Sequence, residues 1–265
     1  MASPGFPSFL LLSYILVFAS VDGSSSPAPK VSLALYYETL CPYCSSFIIN
    51  QLSSVFEQGL ITIVDLKLVP YGNAKIQGND NIVCQHGSYE CLLNTVEACA
   101  INVWSDVNKH FNFIYCVERL VTEGKYKEWE SCFEKMAVDP KGIVECYNSG
   151  LGKEIELFYA NITGFLQPPH AYVPWVTVND QPLYLDYANF KSYVCKAYKG
   201  SPLPKACNSL TRQIISVEKA KPTYEVCYAE EPTKMQASNS SSSTKMGRKW
   251  TAGTSRRRQM MEYSI

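Results

Sequence analysis

Apolar residues run almost unbroken from Val31 to Tyr37 (VSLALYY), which predicts a strand buried on both faces. The period then changes. Phe47, Ile48, Leu52, Val55 and Phe56 recur at helical spacing, with Pro42 suited to the first turn and Gly59 stopping the helix. Leu60 to Val69 (LITIVDLKLV) alternates as a second strand, with Val64, Leu66 and Leu68 on one face and Ile61 and Ile63 on the other. Strand, crossover helix and strand predict a parallel pair.

From Tyr71 to about Leu166 the pattern is helical and rich in cysteine, with stretches at Tyr89 to Val103, Val107 to Thr122, Lys125 to Met136 and Lys141 to Ala160. Gly124 and Asp139-Pro140 separate some of these, and Pro168 and Pro169 end the series. We read residues 71–166 as a helical insertion. Trp175 to Asn179 (WVTVN) alternates again, Asp180-Gln181 predicts a turn, and Pro182 to Leu185 begins a short strand. An amphipathic helix over Asp186 to Lys199 closes the pattern, with Tyr187, Phe190, Val194 and Cys195 inward. The domain spans residues 31–207. Residues 208–265 form a low-complexity tail, Ser-rich at Ser238 to Thr244 and ending in Arg256-Arg257-Arg258, with the composition of a solvated disordered segment.

The apolar stretch Phe9 to Ala19 has signal-peptide length and is followed by small residues, although no Lys or Arg precedes it. Residues 1–24 are therefore expected to be a cleaved signal, with a Ser/Pro linker at 25–30. The stretch is too short to span a bilayer, and no other is longer, so a soluble mature protein without a membrane span is expected. Eleven cysteines in 265 residues suit an oxidising compartment. The sequons at Asn161 and Asn239 fit passage through the secretory pathway. Lys plus Arg equals Asp plus Glu at 24 each, so the bulk chain offers no basic surface for nucleic acid.

Candidate chemistry centres on Cys41-Pro42-Tyr43-Cys44. A cysteine just before the first helical turn meets unsatisfied backbone N–H groups and the positive end of the helix dipole, which favour a thiolate. Cys44 follows one turn inward. The geometry divides the labour: Cys41 attacks a substrate disulfide and Cys44 resolves the mixed disulfide, with no cofactor beyond the pair itself. Work in acid would need a strongly lowered pKa, since a thiol of about 8.5 is ionised in only about one molecule in three thousand at pH 5. No Lys, Arg or His lies within several residues of Cys41, and Glu38 would oppose the thiolate if it pointed inward. Pro174 stands immediately before the strand at Trp175, where thioredoxin-like folds, which this order of elements resembles, hold a cis proline facing the dithiol; the alternative is a trans proline that merely starts a strand. Pro42, Tyr43 and Val173 are expected to line the substrate site. Two bland alternatives compete: a structural disulfide, and zinc bound by Cys84, His86, Cys91 and Cys99, whose irregular spacing and compartment argue against a metal.

Strand, CxxC, helix, strand, helical insertion, proline, strand, turn, strand and closing helix follow the order of the thioredoxin superfamily, which the chain resembles. Cys84, Gln85, His86, Gly87, Glu90, Cys91, Asn94 and Cys99 narrow this. Their run is similar to the CQHGx2ECx2Nx4C signature of the gamma-interferon-inducible lysosomal thiol reductase family, and the resemblance covers about Val31 to Cys207. It implies an α/β thioredoxin-like fold with a disulfide-braced helical insertion. It further implies a thiol reductase of the lysosome, vacuole or extracellular space, acting on disulfide-containing protein substrates with a small-molecule thiol as reductant. By the same resemblance the signature is mainly structural: Cys84, Cys91 and Cys99 sit in disulfides, and His86 is a polar core residue or an electrostatic neighbour of the dithiol. Pro42-Tyr43 is better known from glutaredoxins, so glutaredoxin-type or oxidase activity on this fold stays open, as does a noncatalytic disulfide-rich binding module. Setting Cys41 and Cys44 aside leaves nine cysteines, enough for four disulfides with Cys227 expected to be left over.

Overall fold

A computed structural model describes residues 28–208 and 225–229. The signal stretch, Asn239 and most of the tail lie outside the described residues.

Strand β1 (Val31–Tyr37) is central. Its buried residues Val31, Leu33, Ala34, Leu35 and Tyr37 face both sides of the sheet, which accounts for the unbroken apolar run. It pairs in parallel with β2 (Val64–Pro70), in register from Val31 with Val64 to Tyr37 with Pro70. Between them the chain runs through α1 (Pro42–Phe47), a π-helical segment at Ile48–Leu52 and α2 (Ser54–Glu57). The predicted second strand starts late, because Gly59 at φ 69° leads into a 3-10 turn at Leu60–Thr62.

Past β2, a hairpin of β3 (Lys75–Gln77) and β4 (Asn81–Val83) precedes five insertion helices. These are α3 (Ser88–Val103), α4 (Val107–Thr122), α5 (Ser131–Met136), α6 (Lys141–Asn148) and α7 (Gly150–Gly164). The stretch predicted as one helix from Lys141 breaks at Ser149, whose hydroxyl accepts from the Leu151 N–H and caps α7. Leu93, Val96, Phe113, Val117, Trp129, Phe133 and Ile143 make the insertion's own core. Disulfides Cys99–Cys146 and Cys116–Cys132 tie α3 to α6 and α4 to α5.

The chain returns as β5 (Tyr172–Val173), β6 (Trp175–Val178) and β7 (Gln181–Pro182). β6 lies antiparallel to β1, with Leu33 opposite Val178 and Tyr36 opposite Trp175. Asn179 and Asp180 take left-handed φ values of 47° and 62°, and the β6–β7 turn falls on them, one residue before the predicted position. The sheet order is β2-β1-β6-β7. A 3-10 segment at Tyr184–Asn189 and helix α8 (Phe190–Ala197) close the domain, and Cys195–Cys207 staples its end. Phe47 of α1 meets Tyr187 and Phe190 edge-on at 5.5 Å each, locking the first and last helical segments onto one core. The architecture is the expected thioredoxin-like one.

One element has no counterpart in the sequence reading: β8 (Cys227–Tyr228) pairs antiparallel with β5, Val173 opposite Cys227 and Tyr172 opposite Tyr228. The tail is therefore not formless throughout.

Candidate active site around Cys41

Cys41 occupies the position before Pro42 at the start of α1 in extended backbone, as the sequence predicts. It is fully buried, and its sulfur lies 4.0 Å from the Val173 carbonyl. The Val173-Pro174 peptide bond is cis, and both residues are buried. Pro42 is exposed and Tyr43 half-buried at the same rim.

The cysteine pairing differs from the expectation. Cys41 is disulfide-bonded to Cys227, with Cα atoms 6.2 Å apart, and Cys44 is the free cysteine. The reason is local: β8 pairs with the segment leading into Pro174, and that register sets Cys227 over the start of α1. The other eight cysteines form four disulfides, including Cys84–Cys91. Cys44 is buried, and burial raises its thiol pKa well above the ordinary value, with the nearby Glu38 carboxylate raising it further.

Glu38 does point inward. Its carboxylate accepts from the Asn73 N–H at 2.7 Å, and the amide of Asn73 lies 3.4 Å from the other oxygen. Burial, aided by Glu90, raises this carboxyl to about 8 against the lowering effect of Asn73. Below that pH it is mostly neutral, so its opposition to a thiolate is weaker than its proximity suggests. Behind it, the Tyr37 hydroxyl donates to Glu97 at 2.6 Å, and Ser45 donates to Glu118. Burial raises Glu97 to about 8 and Glu118 well above its usual range.

The signature residues surround this centre. Asn94 accepts from the Thr39 N–H at 3.0 Å, holding the loop before Cys41 to α3. Glu90 is fully buried and accepts from the His86 N–H at 3.2 Å, while His86 Nδ1 lies 2.5 Å from the other Glu90 oxygen and 3.6 Å from Glu38. His86 is exposed, so it is not a core residue; it sits beside Glu38 and Glu90, two of the carboxyls that act on the Cys44 thiol. Cys84–Cys91 closes the loop that carries Gln85, His86 and Gly87, and Gly87 at φ 93° takes a backbone conformation open to glycine. Among the described residues, Glu38, His86 and Cys227 place potential ligand atoms within 4.8 Å of one another. The Cys227 sulfur is engaged in the disulfide, which leaves too few donors for a zinc site. Sequence reasoning missed Asn73, Gly72, Tyr187 and Cys227, which reach the centre only through tertiary contacts.

A sheet of this order, with Cys41 and Cys44 at the start of its first helix and the Val173 carbonyl, just before cis Pro174, 4.0 Å from the Cys41 sulfur, is the architecture of a thiol–disulfide oxidoreductase on a thioredoxin-like fold. Comparison with known proteins then gives the family. Residues 32–136 match the sequence model of Gamma interferon inducible lysosomal thiol reductase (GILT). The gamma-interferon-responsive lysosomal thiol protein of Arabidopsis thaliana is 40% identical over 238 residues, covering 88% of this chain and 99% of that protein. The gamma-interferon-inducible lysosomal thiol reductase of Mus musculus is 37% identical over 189 residues, 69% of this chain and 74% of that one. Among solved structures, the reduced disulfide bond oxidoreductase DsbG of Mycobacterium tuberculosis aligns at a TM-score of 0.47 and 16% identity, over 71% of this chain and 86% of that chain. The chain belongs to the gamma-interferon-inducible lysosomal thiol reductase family. No helix among the described residues is long and apolar enough to cross a membrane.

Proposed function

We propose that this protein reduces disulfide bonds of protein substrates in an acidic compartment of the secretory pathway, a lysosome or vacuole, with Cys41 as nucleophile and Cys44 as resolving thiol. The observation that carries the reading is the state of the three sulfurs: Cys41 is bonded to a cysteine from outside the CxxC, while Cys44, one turn in, keeps its thiol. That is the arrangement of a mixed-disulfide intermediate awaiting resolution. A substrate sulfur would take the place of Cys227. Cys44 would then attack Cys41, release the substrate as a thiol and leave a Cys41–Cys44 disulfide for a small-molecule thiol to reduce. No resident cofactor enters this cycle. The lysosomal names of the relatives, the apolar stretch at Phe9 to Ala19 and the cysteine content support the compartment. The Asn161 side chain is exposed and open to glycosylation.

The test is reduction of a disulfide-bonded protein at roughly pH 5 by the Cys41→Ser and Cys44→Ser variants. Cys41→Ser should abolish turnover, and Cys44→Ser placed in a Cys227→Ser background, where nothing caps Cys41, should accumulate a covalent enzyme–substrate adduct. Turnover retained by Cys41→Ser overturns the assignment. The reduction potential of the Cys41/Cys44 pair separates a reductase from an oxidase on the same fold.

A further inference from the structure

Residues 225–229 are held by the domain as a peptide would be. The strand pairs antiparallel with β5, and the Ala229 N–H donates to the Ala171 carbonyl at 3.3 Å. Three of its carbonyls accept from side chains of three different parts of the chain. Tyr187 donates to Glu225 at 2.8 Å, Asn73 to Cys227 at 3.1 Å, and Gln85 to Tyr228 at 2.8 Å. Asn73 also donates to the Gln85 side-chain oxygen at 2.8 Å, so the two amides orient each other. Side-chain contacts are fewer: Val226 is buried in the sheet core, and the Tyr228 ring meets Tyr172 edge-on at 5.7 Å while staying largely exposed. Hydrogen bonds that go to main-chain oxygens grip any sequence in extended form. The cysteine between Val226 and Tyr228 is the one bonded to Cys41.

The geometry points to an internal substrate: residues 225–229 occupy the groove that receives an extended, cysteine-bearing strand of a protein substrate, and they cap the nucleophile covalently. Tyr187, Asn73 and the signature residue Gln85 are the main-chain clamps of that groove, and the flanking subsites take an apolar residue before the cysteine and accommodate an aromatic one after it. This rests on the reductase reading above and names the form of its substrate. The capped protein is latent. Uncapping needs no net oxidation or reduction: the Cys44 thiolate attacks the Cys41 sulfur, the Cys41–Cys227 bond breaks as Cys41–Cys44 forms, and Cys227 leaves as a thiolate that takes a proton from water. Two molecules of a small thiol then reduce Cys41–Cys44 to the active dithiol and depart as their own disulfide.

The experiment uses the full chain, purified without reductant. Free thiols are alkylated, and the disulfides are mapped by mass spectrometry after digestion. A linked Cys41–Cys227 peptide with alkylated Cys44 is expected; a Cys41–Cys44 link with alkylated Cys227 overturns the cap. Rates are then followed on a disulfide-bonded peptide and on a small aromatic disulfide without peptide bonds. The wild type should show a longer lag than Cys227→Ser, which needs only reduction of Cys41–Cys44, and brief pre-reduction should remove both; equal lags overturn latency. In the Cys227→Ser background, Gln85→Ala should lower the ratio of kcat/KM for the peptide over the small disulfide about tenfold, since it removes a hydrogen bond only the peptide makes. A structural role for Gln85 would lower both together, and an unchanged ratio overturns the clamp. Failure of the reductase reading looks different: Cys227→Ser would then reduce neither substrate, whatever the disulfide map shows.

Discussion

At the residue scale, Gly72 shows how one backbone position supports the centre. It sits at φ +59°, and a Cβ there would fall 2.5 Å from Glu38 Oε2 and 2.6 Å from Glu38 Cβ. Gly72→Ala therefore costs about 1–2 kcal/mol for left-handed backbone and about 1–3 kcal/mol for overpacking, unless Glu38 moves. If Glu38 moves, Asn73 loses the acceptor that orients it. The expected outcome is a lower urea midpoint together with weaker use of peptide disulfides relative to small ones. A variant matching the wild type in both shows that Glu38 is free to shift. The sequence alone singles out Cys41, Cys44 and Pro174 as candidates, because a CxxC at a helix start and a proline before a strand are local patterns. It cannot reveal Asn73 or Cys227. Cys227 lies 186 residues from Cys41, and no periodicity links them.

At the element scale, what was legible followed from how many side chains repeat a pattern. β1 and α4 appear with the predicted bounds, since seven and sixteen residues carry a consistent burial preference. The β3–β4 hairpin has three residues per strand, nearly all exposed, and so leaves no alternating signature. β8 has two, and exists through its partner strand and its disulfide rather than through propensity. The break between α6 and α7 also escapes the pattern, because Ile143 and Cys146 before it and Glu156 and Tyr159 after it still recur at helical intervals. Gly152 just past the break lets α7 approach closely: a Cβ there would lie 2.8 Å from Thr95 of α3 and 2.9 Å from the Cys146 carbonyl of α6. Two of these helices, α3 and α6, are joined by the Cys99–Cys146 bridge, which closes a span of 47 residues. Replacing both cysteines by Ala should cost about 2–5 kcal/mol. Chemical denaturation measures this. A loss well under 1 kcal/mol would mean that helix packing alone holds α6 in place.

At the scale of the whole molecule, the buried carboxyls give the fold a proton-dependent stability. Burial raises Glu38, Glu97 and Glu156 to about 8 and Glu118 upward as well, from 4.5 in the exposed chain. Between those values the folded protein holds protons that the unfolded chain has released. Stability from each group is therefore full below about 4.5 and is lost as pH rises through about 8. His110 and His170, lowered from 6.5 by burial, act with the opposite sign, but only below about 6.5, where the unfolded chain gains a proton that the fold resists. Among the described residues the carboxyls govern the interval above it. Melting temperature should thus fall from pH 6.5 to pH 7.5, the slope being about 1.4 kcal/mol per pH unit for each protonated carboxyl. Glu156 offers the cleanest check, because it lies on α7, is not among the carboxyls acting on Cys44, and Gln keeps its shape without ionising. Glu156→Gln should reduce the slope by one such increment. An undiminished slope would show that Glu156 is already ionised in the folded protein, and the dependence would then have to come from Glu38, Glu97 and Glu118, the carboxyls gathered behind Cys44 and its neighbours.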